Sequence, residues 1–303
     1  MLDEAIAPDC ASMGLDDAFQ APGDSAEAAR RAEPDIPPVA RSVVLVASGK
    51  GGVGKSTISV NLALALAERT FSVGLLDADV YAPDIPLMLN LTRTKPRKSG
   101  PMFRNPRLSQ LRLDPVERFG LKVMSAGFLI AEDQSLSLPA SSVYFVLNQL
   151  AHQVAWGELD YLVVDLPPGT ADVQQHMVDL LRPAGALLVV GPQDLAHLDA
   201  KKVLSMFREA GVPVLGGVEN MHDLVCPHCQ GEIEVFPAVS DARAIWSAGV
   251  EQLATLPFNP GLSHAAERGT PLLISEPDGA QADRFRQLAY RVAAAVSLPG
   301  PDG

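Results

Sequence analysis

The run Gly49-Lys50-Gly51-Gly52-Val53-Gly54-Lys55-Ser56-Thr57 has the residue types and spacing of a phosphate cradle. It satisfies G-x-x-x-x-G-K-[ST], follows the apolar run Val43 to Val46 and precedes a helical pattern. Glycines let backbone N–H groups turn inward toward phosphate oxygens, because no Cβ blocks the approach. Lys55 then supplies a point charge to the β- and γ-phosphates of ATP, and the Ser56 hydroxyl is placed to ligate Mg²⁺.

Cys226-Pro227-His228-Cys229 is the second chemical feature. Thiolates three residues apart on a turn can share one metal ion or one cluster. Two thiolates are half a ligand set, and the third cysteine, Cys10, lies far away in an acidic N-terminal segment. A homodimer supplies four sulfurs, which suit Zn²⁺ or an iron–sulfur cluster. His228 is either a further ligand or, the favoured reading, a solvated residue between the thiolates. A thioredoxin-like redox pair and inert thiols are the competing readings. Against the redox pair, the motif follows a late strand rather than opening a helix after the first one.

Acids close two strands. Leu75-Leu76-Asp77-Ala78-Asp79 ends one, with both carboxylates facing the phosphate loop across the sheet edge; the alternative is two solvated acids. Tyr161-Leu162-Val163-Val164-Asp165 is an apolar strand ending in an acid, and hard Mg²⁺ favours a carboxylate with waters and phosphate oxygens. Leu166-Pro167-Pro168-Gly169-Thr170 follows as a switch segment, stiffened by its prolines, with Gly169 able to bring an N–H toward a γ-phosphate; Asp172 is a secondary switch candidate. Asn220, after Val218-Glu219, offers an amide donor and acceptor that match the edge of adenine, or else caps a turn.

The elements that must position these residues alternate. Strands are expected at Val43–Ser48, Val73–Asp77, Leu121–Ala126, Tyr161–Asp165, Ala186–Val190, Val214–Asn220 and Gln252–Leu256. Helices are expected at Lys55–Thr70, Ser141–Trp156, Val173–Leu180, Leu198–Ala210, Ala242–Ala248 and Ala280–Val296, with 92–118 a basic loop. This predicts an α/β fold: a doubly wound, mostly parallel sheet with helices on both faces, of the P-loop NTPase class. Right-handed crossovers put the loops after each strand, and hence all three acidic or glycine-rich motifs, at one sheet edge.

Composition bounds the rest. The 303 residues are 47 % hydrophobic, enough for one α/β domain with a full core. No apolar run is long enough to span a bilayer, and the acidic Met1-Leu2-Asp3-Glu4 is not a secretory signal. A net charge of −12 argues against general nucleic-acid binding. The cysteines form no disulfide framework, which points to the reducing cytoplasm. Residues 1–40 are acidic and rich in Ala and Pro, and read as a disordered tail. The ATPase domain is assigned to 41–298 and a flexible end to 299–303.

Taken together, the chain resembles the Mrp/ApbC-type iron–sulfur cluster carriers, within the deviant Walker A superfamily of MinD, ParA and nitrogenase iron protein. The marks run over roughly residues 41–275: SGKGGVGKST (48–57), LLDADVYAPDIPLML (75–89), GLKVMSAGF (120–128), WGELDYLVVDLPPGTADVQ (156–174), PQDLAHLDAKK (192–202) and PVLGGVENMHDLVCPHC (213–229). The resemblance implies a slow homodimeric, cytoplasmic ATPase that holds a [4Fe–4S] cluster between subunits through Cys226 and Cys229. It would pass the cluster to apoproteins, with scaffold proteins as further partners and neither nucleic acid nor membrane involved. It also implies that Lys50 reaches the other subunit's nucleotide, Asp79 orients the attacking water, Asp77 supports Mg²⁺ through its waters and Asn220 reads the base. The chain departs from the family at Leu138-Pro139-Ala140-Ser141 and Phe236-Pro237-Ala238-Val239, which suggests a specialised client. Two rivals remain open: a MinD/ParA-like positioning ATPase with a structural zinc, and an ATP-driven electron donor. Ala293–Gly303 is not a basic amphipathic helix, which weakens the first.

Overall fold

A computed structural model describes residues 38–99, 112–129, 140–169, 172–226, 228–229, 231–237 and 239–296. The acidic tail, Thr170, Pro227 and the stretch 130–139 lie outside the described residues.

A nine-stranded sheet runs in the order β10-β9-β8-β1-β7-β2-β6-β5, with β11 also pairing β9. Its centre is β1 (Ser42–Ala47), β7 (Tyr161–Asp165), β2 (Val73–Asp77) and β8 (Gly185–Val190), all parallel to their neighbours and buried throughout. Their unbroken apolar character follows from having helices on both faces. On one face lies α1 (Lys55–Glu68), buried on most of its circumference from Ile58 to Leu66 because it is packed between the sheet and the last helix, Ala280–Ala295. Val46 and Asp77 both register with Asp165, so β1, β7 and β2 deliver their C-terminal ends to one line.

Beyond the centre, β6 (Leu121–Ser125) extends the parallel set, and β5 (Val116–Arg118) closes that side antiparallel. On the other side, β9 (Val214–Val225) pairs β8 and β11 (Gln252–Phe258) in parallel and β10 (Glu232–Glu234) antiparallel. The outer carbonyls of β11 do not stand open. Arg291 Nη1 donates to Leu253 O at 2.8 Å and Arg284 Nη1 to Thr255 O at 2.6 Å, which blunts an edge that would otherwise template another chain.

Several expectations are corrected. The 92–118 loop contains a small antiparallel pair, β3 (Lys98–Ser99) with β4 (Arg112–Leu113), besides β5. The helix expected at Ala242–Ala248 is a 3₁₀ turn over Ile245–Ala248. Pro260–Glu267 and Leu272–Ser275 are helical and were not anticipated; the first starts at Pro260, with Asn259 Oδ1 accepting the Gly261 N–H at 2.8 Å as its cap. Strand β9 runs on past Asn220 to Val225. Its extension from Met221 is only partly buried and carries His222 and Asp223, so a continuous apolar run does not mark it.

Candidate functional site

The loop between β1 and α1 is shaped by close approach. Gly54 sits at φ 83°, a left-handed conformation, and a Cβ there would lie 2.3 Å from Asn220 Nδ2. A Cβ on Gly49 would lie 2.3 Å from the Asp199 backbone. The loop leads directly into the N-terminus of α1, where free N–H groups and the helix dipole favour anions.

Asp165 ends β7 beneath this loop. Its Oδ2 lies 2.8 Å from Lys55 Nζ and accepts the Ser56 hydroxyl at 2.6 Å, while Oδ1 accepts the Ser59 hydroxyl at 2.7 Å. Lys55 and Asp165 are only 6 % and 1 % exposed, so the pair is a desolvated charge couple completed by hydroxyl donors. Ser56 and Asp165 thus present hard oxygens side by side, a donor set that fits Mg²⁺. Ser59 was missed in the sequence. It stands near the Ser56 face of α1, one turn on, and that spacing was the available signal.

The two acids after β2 behave differently from one another. Asp77 is wholly buried; its Oδ2 accepts from Ser125 Oγ at 2.8 Å and its Oδ1 from the Asp79 N–H at 3.2 Å. Burial, and then the charge of Asp165, push its carboxyl well above the ordinary range. Asp79 Oδ1 accepts the N–H groups of Tyr81 and Ala82 at 3.2 and 3.1 Å, and burial raises its carboxyl as well. Asp79 lines a cavity of about 400 Å³ with Tyr81, Tyr144, Pro167, Pro168 and Gln174. Gln174 clamps the switch turn, donating to Pro167 O at 2.8 Å and Gly169 O at 2.7 Å. The Gly169 N–H, expected to face a phosphate, donates instead to Ser48 O at 3.0 Å.

Lys50 extends along its own chain, where Nζ donates to Gln193 Oε1 at 2.6 Å. The contact is exposed, and a hydrogen bond there contributes only about 1 kcal/mol net, so it releases readily. Asn220 is buried, and its Nδ2 donates to Val53 O at 2.9 Å, tying β9 to the phosphate loop. Beside it, Glu219 gathers three side chains: His197 Nε2 at 3.6 Å, His222 Nδ1 at 3.2 Å and Gln252 Nε2 at 3.0 Å. Burial alone would raise the Glu219 carboxyl, but these neighbours outweigh it and hold it below its ordinary value. His197 takes the Ile245 N–H on Nδ1 at 3.1 Å and packs edge-on against Trp246.

Just past the end of β9, six residues beyond Asn220, comes the cysteine turn. Val225 registers with Glu232, and the Cys226 N–H donates to Gly231 O at 2.9 Å, which closes a hairpin. Backbone N–H groups of Cys229 and His228 serve the Cys226 sulfur and hold its thiol below the ordinary value, the direction that favours a thiolate. Cys226 is half-buried and Cys229 exposed, both free. Among the described residues no group of three His, Cys, Asp or Glu side chains could hold a metal ion. Val225, Ile233 and Val235 flank the turn with exposed apolar side chains. Among the described residues no helix is long and apolar enough to cross a membrane.

Comparison with known proteins agrees with this layout. A family model described as ParA: NUBPL iron-transfer P-loop NTPase matches residues 39–293. The mouse protein named iron-sulfur cluster transfer protein NUBPL is 42 % identical over 255 residues, 83 % of this chain and 76 % of its own. The iron-sulfur cluster carrier protein of Pseudomonas fragi is 40 % identical over 265 residues, 86 % of this chain and 89 % of its own. A nucleotide-binding protein of Archaeoglobus fulgidus, solved with ADP, superposes with a TM-score of 0.65 at 32 % identity over 80 % of this chain and 91 % of that one. The MinD ATPase of Pyrococcus furiosus shares the fold, with a TM-score of 0.58 at 19 % identity over 84 % of this chain and 98 % of its own. With a doubly wound sheet, a Gly54-Lys55-Ser56 cradle over Asp165, and relatives this similar along most of its length, the chain belongs to the NUBPL-type iron-transfer family of P-loop NTPases.

Proposed function

We propose that this chain binds and hydrolyses ATP and carries a [4Fe–4S] cluster, held between two copies by Cys226 and Cys229 of each, for delivery to apoproteins. The observation that carries the reading is the cysteine turn. Backbone N–H groups prepare one thiol on an exposed hairpin, and that hairpin extends a strand tied to the phosphate loop. Four thiolates suit such a cluster, and one chain has two there. The exposed Val225, Ile233 and Val235 offer apolar surface that a second copy would cover, excluding water from the bridge.

In this reading Lys55 leaves Asp165 for the β- and γ-phosphates, and the N–H groups of residues 49–57 hold their oxygens. Ser56 and Asp165 would hold Mg²⁺, which would supply positive charge to offset that of the phosphates. Asp79 orients the attacking water at the mouth of the switch cavity. Lys50 lets go of Gln193 and crosses to the partner's nucleotide, where a cation stabilises the transferring group. Asn220 keeps its carbonyl oxygen for the base. The ATPase domain spans 41–298 between a tail of residues 1–40 and a short end at 299–303. Clients and scaffold proteins are the partners, and the compartment is the cytoplasm. The test is transfer: protein loaded anaerobically with iron and sulfide should activate an apo iron–sulfur enzyme, faster with ATP than without. Loaded protein that reduces a partner but never gives up its iron would make it an electron donor instead.

A further inference from the structure

The two sites share one strand, and that strand is not regular between them. Asn220 is fixed at the phosphate end: its Nδ2 donates to Val53 O, and Asn220 Nδ2 and Met221 Cε are the atoms a Cβ on Gly54 would meet, at 2.3 and 3.7 Å. Glu219 is held from the helix Asp194–Glu209 by His197 and from β11 by Gln252. At the far end Asp223, Leu224 and Val225 are paired to Glu234, Ile233 and Glu232 of β10, and Cys226 follows. On the β11 side Leu256 pairs Asn220, but Phe258 pairs Leu224, so there Pro257 alone stands opposite Met221, His222 and Asp223. Proline has no N–H to give that bulge. Met221 itself is at φ 62°, a left-handed conformation that costs a non-glycine residue on the order of 1 kcal/mol or more. His222 bridges the bulge, with Nδ1 3.2 Å from Glu219 Oε2 and Nε2 3.2 Å from Asp223 Oδ2.

From this we infer that the Met221–Asp223 bulge is a positioning hinge: it couples the phosphate loop, through Asn220, to the placement of Cys226 and Cys229. Strain is confined to a segment with two stiff ends, so a shift of the Val53–Gly54 peptide displaces Asn220 and Met221 together. The bulge then passes the shift to the hairpin instead of dissipating it. Bulges re-aim the residues that follow them, and here those residues are the cysteines. Met221 and His222 act through other residues and touch neither phosphate nor cargo in this role. The inference rests on the proposed function only in taking the cysteines as the cargo site.

The test needs no cluster. In full-length protein carrying Cys10→Ser, the rates at which iodoacetamide alkylates Cys226 and Cys229 are measured by peptide mass spectrometry without nucleotide, with Mg-ADP and with Mg-ATP. Nucleotide should change at least one rate by about fivefold, the lower end of ordinary site-to-site coupling. Met221→Gly, which lets the bulge adopt either hand freely, should bind nucleotide with unchanged affinity while the effect on the thiols falls to less than about twofold. Met221→Asn, which tolerates the left-handed conformation but retains a Cβ, should keep it. Hydrogen exchange on the unaltered chain supplies a check that needs no variant: amides 221–223 should change protection when nucleotide binds. Thiol rates and amide protection that ignore bound nucleotide would overturn the hinge. So would a Met221→Gly protein with the full nucleotide effect, which would mean that dimer contacts alone govern the cysteines. Failure to take up iron and sulfide would count against the proposed function and leave these readouts intact.

Discussion

At the phosphate edge, Lys55, Ser56 and Ser59 all converge on one carboxylate, and Asp77 has both oxygens engaged in the core. At the cysteine turn, the short β9–β10 pairing and the bond from Cys226 N–H to Gly231 O close a hairpin whose flanking apolar side chains are exposed. The first region has its electrostatics arranged before any ligand arrives, which is what stabilising charge in a transferring phosphoryl group requires. The second is left reachable, as a group that must be handed to another protein requires. One sheet supports both because they lie at opposite ends of the short stretch of β9 from Asn220 to Val225.

The comparison breaks most visibly if the buried cation is removed. Lys55→Ala should weaken ATP binding by at least about 100-fold, since charge-assisted hydrogen bonds contribute about 1.5–3 kcal/mol each; calorimetric titration reads this. It should also lower the melting temperature, because Asp165 is left as a buried charge without its partner. At the exposed region the reverse holds. Cys226→Ser or Cys229→Ser should abolish uptake of iron and sulfide while ATP affinity and melting temperature stay as they were. A serine variant that lost ATP binding would mean that the two regions are not separately built.

Two further changes sharpen the account of the phosphate edge. Asp79→Asn should keep Mg-ATP affinity and slow single-turnover hydrolysis by about 100-fold, because a water-orienting carboxylate acts in the transition state. Lys50→Ala should cost hydrolysis more than binding. Equal loss of both would tie Lys50 to its own subunit's nucleotide.

The smallest effect concerns pH. Asp77 has a raised folded carboxyl, so its contribution to stability is fully present below its unfolded value of about 4 and is lost as pH rises through the folded one. Asp77→Asn should therefore flatten the fall in melting temperature of the unaltered protein from pH 4 toward neutrality. An unchanged slope would assign that fall to other groups, such as Asp79 or Asp84, whose carboxyls are also raised by burial.

How much of this was legible in the sequence follows from the range of each signal. The central strands announced themselves because both faces are buried, so Val43 to Val46 and Tyr161 to Val164 are apolar without a break. The cradle and Asp165 were legible because their spacing is local and their strand-to-helix setting is unusual. The hydrogen bond of Lys50 to Gln193 spans 143 positions, and that of Asn220 to Val53 spans 167; no local pattern encodes either. The extension of β9 hid behind His222 and Asp223, because a strand that is only partly buried loses the continuous apolar run that identifies a covered one. Ser59 was the one missed contact that helical spacing could have supplied.

The central claim is that two copies complete one cluster. Iron, acid-labile sulfide and zinc are to be counted per chain after anaerobic reconstitution, with mass in solution determined on the same sample. About two irons and two sulfides per chain in a dimer is the predicted result, the share of one four-iron cluster between two subunits. A monomer holding a full cluster, or tightly held zinc without sulfide, would contradict it.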